Sequence, residues 1–345
     1  MNMLPACCAL LFAALAVGCR FVKPLKALSF QFCMLTFGAV AMAYPTAFIS
    51  WGGFELKRIV TPLVQVILFG MGMTLTVDDF RRVLTMPRGI VVCCVLHYTI
   101  MPLGGFCFAH LFGLEGAVAT GLILIGSVPS GTASNVITLL ARANIPLSVT
   151  VTAVSTLISP FITPFMMKWL AGTYVPVDAV QMMLSILKMI IVPLALGLLL
   201  HRYLPAVAAR LARVLPLVAM LAICTIVGIT IALSHEQLLK VGLALFAAAA
   251  CHNATGYLLG YWGGRLAGLN KTDSRTTAFE VGMQNGGMAT GLAFGVLNSP
   301  LAALAAAVFG PWSVVTSSVL ASRWSRCLPG DSSPVEETEP KANRI

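Results

Sequence analysis

The sequence predicts an all-α membrane protein built from ten spanning helices in two five-helix halves. Three observations lead there. Of 345 residues, 58% are hydrophobic and 10% are charged, against about 25% charged in an ordinary soluble chain. A soluble domain of this length has too little interior to hide so much apolar surface, whereas a lipid-facing exterior removes the difficulty. Glycine is abundant, at 30 residues, and small residues let helices approach closely in a bilayer. Finally, the apolar residues fall into runs of about 20, the length that crosses a hydrocarbon core.

Residues 4–19 come first, an apolar run short for a span. It lacks a basic leading region and a small-residue cleavage site, so it reads as uncleaved. An eleventh helix and an interfacial segment both fit it, and residues 1–27 are set apart as an extension. Ten spans follow at 28–50, 59–77, 88–112, 116–141, 145–170, 179–200, 213–233, 238–263, 276–297 and 301–322. They meet at short polar hinges that leave no room for a soluble domain, so the unit runs from 28 to 322, in halves 28–170 and 179–322. From 323 to 345 Pro, Ser, Glu and Lys accumulate, the composition of a disordered tail.

The net charge is +10, with basic residues scattered singly or in twos and threes between apolar stretches. That pattern speaks against a nucleic-acid partner and for loop anchors beside a lipid bilayer. Placing Arg20, Lys23 and Lys26 on one side, alternation brings Arg81, Arg82, Arg88, Arg142, Arg202, Arg210, Arg213, Arg265, Lys271, Arg275, Arg323 and Arg326 to the same side. Lys57, Arg58, Lys168 and Lys240 fall opposite. The positive-inside rule then puts both ends of the ten-helix unit, including the C-terminus, in the cytoplasm of a cell that carries the protein in its inner or plasma membrane.

The fourth span contains Gly131-Thr-Ala-Ser-Asn135 and the ninth Gly282-Met-Gln-Asn-Gly-Gly287. Each interrupts an apolar run with small and amide residues at the same place in its half. An odd number of helices per half forces the second half to be inverted, and interrupted helices at matching places in inverted halves point to a transporter site. A glycine-rich packing motif is the competing reading.

Acidic residues are few enough to place completely. Glu55, Asp78, Asp79, Glu115, Asp178, Glu236 and Asp273 fall at helix ends or loops, and Asp331, Glu336, Glu337 and Glu339 in the tail, which leaves Glu280 inside a span. A charged carboxylate at the bilayer centre costs roughly 2.5–3.5 kcal/mol on the mildest scale, so it requires a reason. An unwound helix there would add main-chain carbonyls and the Gln284 amide to the carboxylate, an all-oxygen set suited to a bare cation such as sodium. A protonated Glu280 bonded to a neighbouring helix is the alternative. Ser130, Thr132, Ser134 and Asn135 cluster at the first interruption, while Ser148 and Thr152 share one face of the fifth span. Lys188, in the sixth, reads as a side chain that snorkels outward. The ten cysteines show no metal-ligand spacing and read as small hydrophobes.

Several runs resemble the bile acid:sodium symporter family. They are Phe69-Gly-Met-Gly-Met-Thr-Leu-Thr76 with Asp79-Phe80, Ile100-Met-Pro102, Gly131-Thr-Ala-Ser-Asn-Val136, Ala141-Arg-Ala-Asn144, Leu147-Ser-Val149, Ser155-Thr-Leu-Ile-Ser-Pro-Phe-Ile-Thr-Pro164, His252-Asn253, Gly256-Tyr-Leu-Leu-Gly260 and Glu280-Val-Gly-Met-Gln-Asn285. The likeness is collinear from about 28 to 322. It implies two inverted five-helix repeats whose fourth and ninth helices are broken and cross. It also implies one sodium site made by Ser134, Asn135, Ser148, Thr152 and Glu280. A second would use Glu280, Gln284 and the carbonyls of Val281 and Met283. Where relatives place a Gln in that second site, this chain has His97, a poorer sodium ligand that can take a proton. Many relatives carry His-Asn after a tenth-helix Trp; here Ser313 and Val314 follow Trp312. The loss of polar groups favours a small acid over a bile-acid-like ligand, and bacterial relatives are associated with pantoate. Thr132, Asn285 and Ser313 are then the expected substrate contacts.

These readings converge on a sodium-coupled symporter of a small organic anion, with sodium as the sole metal and no cofactor. Proton-coupled or facilitated movement of organic anions, including bile-acid-like or steroid conjugates, is the alternative within the class. A channel or a transporter-like sensor would use the same oxygens differently. An intramembrane enzyme would need a nucleophile or metal with a partner, which one buried Glu and well-separated His97 and His252 do not supply.

Overall fold

A computed structural model of the protein describes residues 3–21, 26–76, 79, 81 and 84–326. Lys23, Asp78, Phe80, Arg82 and the expected tail from 327 to 345 lie outside the described residues. The described chain is almost entirely helical. The helices are α1 (Met3–Phe21), α2 (Lys26–Ala43), a single turn α3 (Thr46–Ile49), α4 (Val60–Thr74), α5 (Pro87–Leu111), α6 (Gly116–Ser127) and α7 (Ala133–Leu140). There follow α8 (Ile145–Met166), α9 (Ala179–Tyr203), α10 (Pro205–Leu233), α11 (His235–Leu266), α12 (Lys271–Gly282), α13 (Gly286–Gly295) and α14 (Pro300–Arg326). A two-stranded hairpin, β1 (Ser50–Trp51) with β2 (Phe54–Glu55), was not expected. Gly52 and Gly53, both at positive φ (54° and 86°), make its two-residue turn.

Among the described residues, seven helices are long and apolar enough to cross a membrane: Leu56–Thr74, Pro87–Leu111, Ile145–Ala171, Ala179–Tyr203, Pro205–Leu233, His235–Leu266 and Pro300–Arg326. The difference from ten has local causes. The expected span 28–50 stops at Ala43, because Pro45 supplies no amide to continue the helix. The expected fourth and ninth spans are each divided into two short helices, α6 with α7 and α12 with α13. At the far end, α14 continues to Arg326, so residues 323–326 belong to it rather than to a tail.

α1 lies against α2, where the Ser29 hydroxyl donates to the Ala16 carbonyl (2.7 Å) and Phe12 stacks on Phe32. α4 and α9 approach closely through glycines. A methyl group on Gly72 would strike the Leu194 carbonyl, and one on Gly197 the Phe69 carbonyl. Side-chain oxygens open four later helices: Asn144 for α8, Asp178 for α9, Asn270 for α12 and Asn285 for α13. The apolar core gathers α5, α6, α11, α13 and α14 around the two interruptions.

Candidate cation site where the two interrupted helices meet

The first interruption follows from Pro129. Proline disfavours helical geometry in the residue before it, and Val128 is extended (φ −81°, ψ 161°). The second follows from Gly282 and the Asn285-Gly286-Gly287 run, with Met283 extended (φ −108°, ψ 122°). The two extended pieces lie antiparallel against each other as an isolated bridge between Ser130 and Gln284. The Gly131 amide donates to the Met283 carbonyl (3.1 Å) and the Asn285 amide to the Pro129 carbonyl (3.0 Å). Each break thus satisfies main-chain groups that the other leaves open, a requirement inside a bilayer. Gly131 is needed for this approach, since a Cβ there would lie 2.6 Å from the Gln284 carbonyl oxygen.

Glu280 stands in the last turn of α12, fully buried. Its Oε1 accepts from the hydroxyls of Ser134 (2.6 Å) and Ser148 (2.5 Å), and its Oε2 from Thr152 (3.0 Å). Ser148 Oγ also lies 2.7 Å from Asn135 Oδ1, and Thr152 Oγ1 lies 3.4 Å from the same atom. The cluster draws on α7, α8 and α12. All five residues assigned by resemblance to the first sodium site therefore come together.

The donor set fits a hard cation. Every ligating atom is an oxygen, one of the groups is a carboxylate, and no nitrogen or sulfur ligand competes among the described residues. The Ser148 hydroxyl has one proton for two acceptors, Asn135 Oδ1 and Glu280 Oε1, so with Glu280 ionised one of these two contacts lacks a hydrogen. A cation uses lone pairs and needs no such protons.

The residues of the expected second site are arranged differently. Gln284 turns its Nε2 to the Val281 carbonyl (2.7 Å), and its buried Oε1 has no hydrogen-bond partner among the described residues. The Met283 carbonyl already accepts from Gly131. His97 is buried with Nδ1 2.9 Å from the Glu280 carbonyl and Nε2 2.9 Å from the Val128 carbonyl. It spans the last turns of the two half-helices and does not present a lone pair to the carboxylate group.

Of the expected substrate contacts, Thr132 is exposed at the start of α7 and Asn285 is partly exposed. The Asn285 Oδ1 accepts from the Met288 amide (3.0 Å), leaving its Nδ2 as the donor. Ser313 is placed elsewhere: it is buried, its hydroxyl donates to the Gly310 carbonyl (2.8 Å), and its own carbonyl accepts from Tyr257. Among residues not assigned a role from sequence, Asn253 donates to the Gly282 carbonyl (2.8 Å) and accepts from Thr316 (2.8 Å). It thereby ties the end of α12 to α14. A polar His252-Asn253 pair inside an apolar run was the available signal. Lys188 is exposed on α9.

A buried carboxylate ringed by hydroxyls where two interrupted helices meet, in a protein of long apolar helices, is an arrangement of the kind found in membrane transporters. The chain belongs to the sodium bile acid symporter family, whose model matches residues 61–241. It is 36% identical over 298 residues to YocS, an uncharacterized sodium-dependent transporter of Bacillus subtilis (strain 168), covering 86% of this chain and 91% of that one. It is also 36% identical over 298 residues to a probable chloroplastic sodium/metabolite cotransporter, BASS1, of Oryza sativa subsp. japonica, covering 85% and 71% of the two chains. The corresponding Arabidopsis thaliana protein is 36% identical over 266 residues, 77% of this chain and 66% of that one. The protein is accordingly a membrane transporter, and not an enzyme.

Proposed function

We propose that this protein is a sodium-coupled symporter of a small organic anion, with a pantoate-like hydroxy acid as the favoured substrate. The observation that carries the reading is the fully buried Glu280 carboxylate held by Ser134, Ser148 and Thr152 beside Asn135, at the meeting of two interrupted helices. The names of the relatives, sodium-dependent transporter and sodium/metabolite cotransporter, support the choice of ion.

In this reading the ten segments named from sequence form two inverted five-helix halves, with the C-terminus in the cytoplasm of the plasma membrane. Sodium enters the Glu280 cluster and draws α7, α8 and α12 together. That fixes the N-terminal ends of α7 and α13, which sit at the same crossing with Thr132 and Asn285. Their positive dipole ends receive the substrate carboxylate, and Thr132 Oγ1 and Asn285 Nδ2 bond to its polar groups. The loaded core then reorients. An inward potential contributes about 2.3 kcal/mol per elementary charge per 100 mV. A second cation at Glu280, Val281, Met283 and Gln284 is supported by the partnerless Gln284 Oε1. His97 does not join it as a ligand in this reading.

Uptake of labelled pantoate into proteoliposomes, with and without an inward sodium gradient, tests the proposal. Sodium-driven accumulation that is lost in Glu280→Gln is the expected result. Accumulation that ignores sodium would overturn the coupling, and sodium-driven uptake of other organic anions but not pantoate would overturn the substrate.

A further inference from the structure

A second concave site lies away from the crossing. A cavity of about 520 Å3 opens between the end of α4 (Leu75, Thr76), Arg81, the last turn of α9 (Leu198, His201, Arg202) and the start of α10. Its size falls within the range of about 300–1,000 Å3 typical of small-ligand pockets. Two guanidinium groups and an imidazole line it, and among the described lining residues these are the charged or titratable groups.

The local folding sets up those groups. α4 ends at Leu75, which is extended, so its carbonyl is free of the helix; the His201 Nδ1 lies 3.1 Å from it. That contact fixes the ring across the gap between α4 and α9. The Thr76 amide and hydroxyl both donate to Asp79 Oδ2 (2.8 and 2.7 Å), which holds that carboxylate at the helix end beside the pocket. Arg202, in the last turn of α9, projects from an exposed position. Arg210 and Arg213 follow on α10, so the surroundings remain strongly basic.

The wall continues into apolar surface. Leu199, Tyr203, Leu204 and Val207 are all exposed on α9 and α10 beside the pocket. These helices are among the seven suited to span a membrane, so this surface meets acyl chains. Tyr203 stands at the helix end, where aromatic side chains mark the boundary between lipid and water. Guanidinium forks match the geometry of phosphate oxygens, and basic pockets between spanning helices on the cytoplasmic side suit anionic headgroups.

We infer that this pocket binds the phosphodiester headgroup of an anionic phospholipid, gripped by Arg81 and Arg202, with its acyl chains along the apolar face of α9 and α10. The inference goes beyond the transport reading and does not depend on it.

The test uses the full chain in detergent, without sodium or organic anion, so that failure of the transport reading does not affect it. Thermal unfolding is followed while dioleoylphosphatidylglycerol, dioleoylphosphatidylcholine, inorganic phosphate or glycerol 3-phosphate is titrated in. Phosphatidylglycerol is expected to raise the midpoint in a saturable way and phosphatidylcholine is not. The double variant Arg81→Gln/Arg202→Gln is expected to weaken that response by at least ~10-fold in lipid concentration. Arg323→Gln, an exposed arginine of α14, is expected to respond as wild type does. Should the double variant fold poorly, Arg202→Gln alone carries the comparison. An unchanged phosphatidylglycerol response in the arginine variants would overturn the site. An equal response to inorganic phosphate or glycerol 3-phosphate would overturn the lipid assignment in favour of a soluble anion.

Discussion

Glu280 is the residue on which the rest depends. Replacing it with Gln keeps the shape and removes the charge while leaving a cation with neutral ligands alone. Loss of one partner from a buried charge pair costs about 3–5 kcal/mol, so sodium affinity is expected to fall by ~100-fold or more. Sodium-dependent thermal stabilisation measures this, and an affinity within about threefold of wild type would remove Glu280 from the site. Ser148→Ala, which deletes one oxygen, is expected to weaken sodium by ~10-fold, the scale of a single hydrogen-bonding group to a charge. His97→Gln tests the neighbouring position. It exchanges a ring that bridges the Val128 and Glu280 carbonyls for an amide oxygen. A steeper dependence of uptake on sodium concentration is the expected outcome, and an unchanged steepness would show that His97 does not set the ion count. Part of this was legible in the sequence: a lone carboxylate in an apolar run is conspicuous, and so are clustered hydroxyls. What His97 does with both ring nitrogens was not, because it depends on where two distant carbonyls come to rest.

At the scale of elements, the two interruptions work as a pair. Pro129 and Gly282 end α6 and α12, and the bridge at Ser130 and Gln284 makes good the exposed main chain. Gly131→Val would drive a branched side chain into the Gln284 carbonyl. Gly72→Val would drive one into the Leu194 carbonyl where α4 crosses α9. Both are expected to lower stability, by roughly 1–3 kcal/mol, as overpacking does. They should differ in function: Gly131→Val also shifts the sodium response, whereas Gly72→Val leaves it intact in the folded fraction. Thermal unfolding with and without sodium separates the two, and equal sodium responses would mean that the bridge does not position the site. The interruptions were visible as glycine and amide runs inside apolar stretches. The early stop of α2 and the hairpin after it were missed: Pro45 sits within 28–50, which composition alone reads as continuous, and the Gly52-Gly53 turn falls in the short hinge after it.

For the whole molecule, the sorting of basic residues makes a topological claim. A reporter fused after Arg326 is expected to read as cytoplasmic, and one inserted between 171 and 178 as external. The opposite result would reverse the orientation. Alternating access makes a mechanical claim as well. A Cβ at Gly295 would lie 3.4 Å from Thr61 Oγ1, joining α13 to α4. A Thr61→Cys/Gly295→Cys pair, in a background cleared of other cysteines, is expected to block uptake when oxidised and to restore it on reduction. Transport at full rate by the cross-linked protein would show that α13 and α4 do not separate during the cycle.

The sequence by itself determined the helical membrane class, most helix positions, the interruptions and the identity of the buried carboxylate. These are legible because apolar run length, proline and glycine punctuation and charge placement act locally along the chain. Only the tertiary structure decided that Ser134, Ser148 and Thr152 close on Glu280, partners separated from it by 146, 132 and 128 positions. It alone turned Ser313 into the packing of α14 and drew Arg81 and Arg202 into one pocket. Such contacts depend on how helices cross and rotate against one another, and that is set by packing summed over the whole bundle rather than by any one segment.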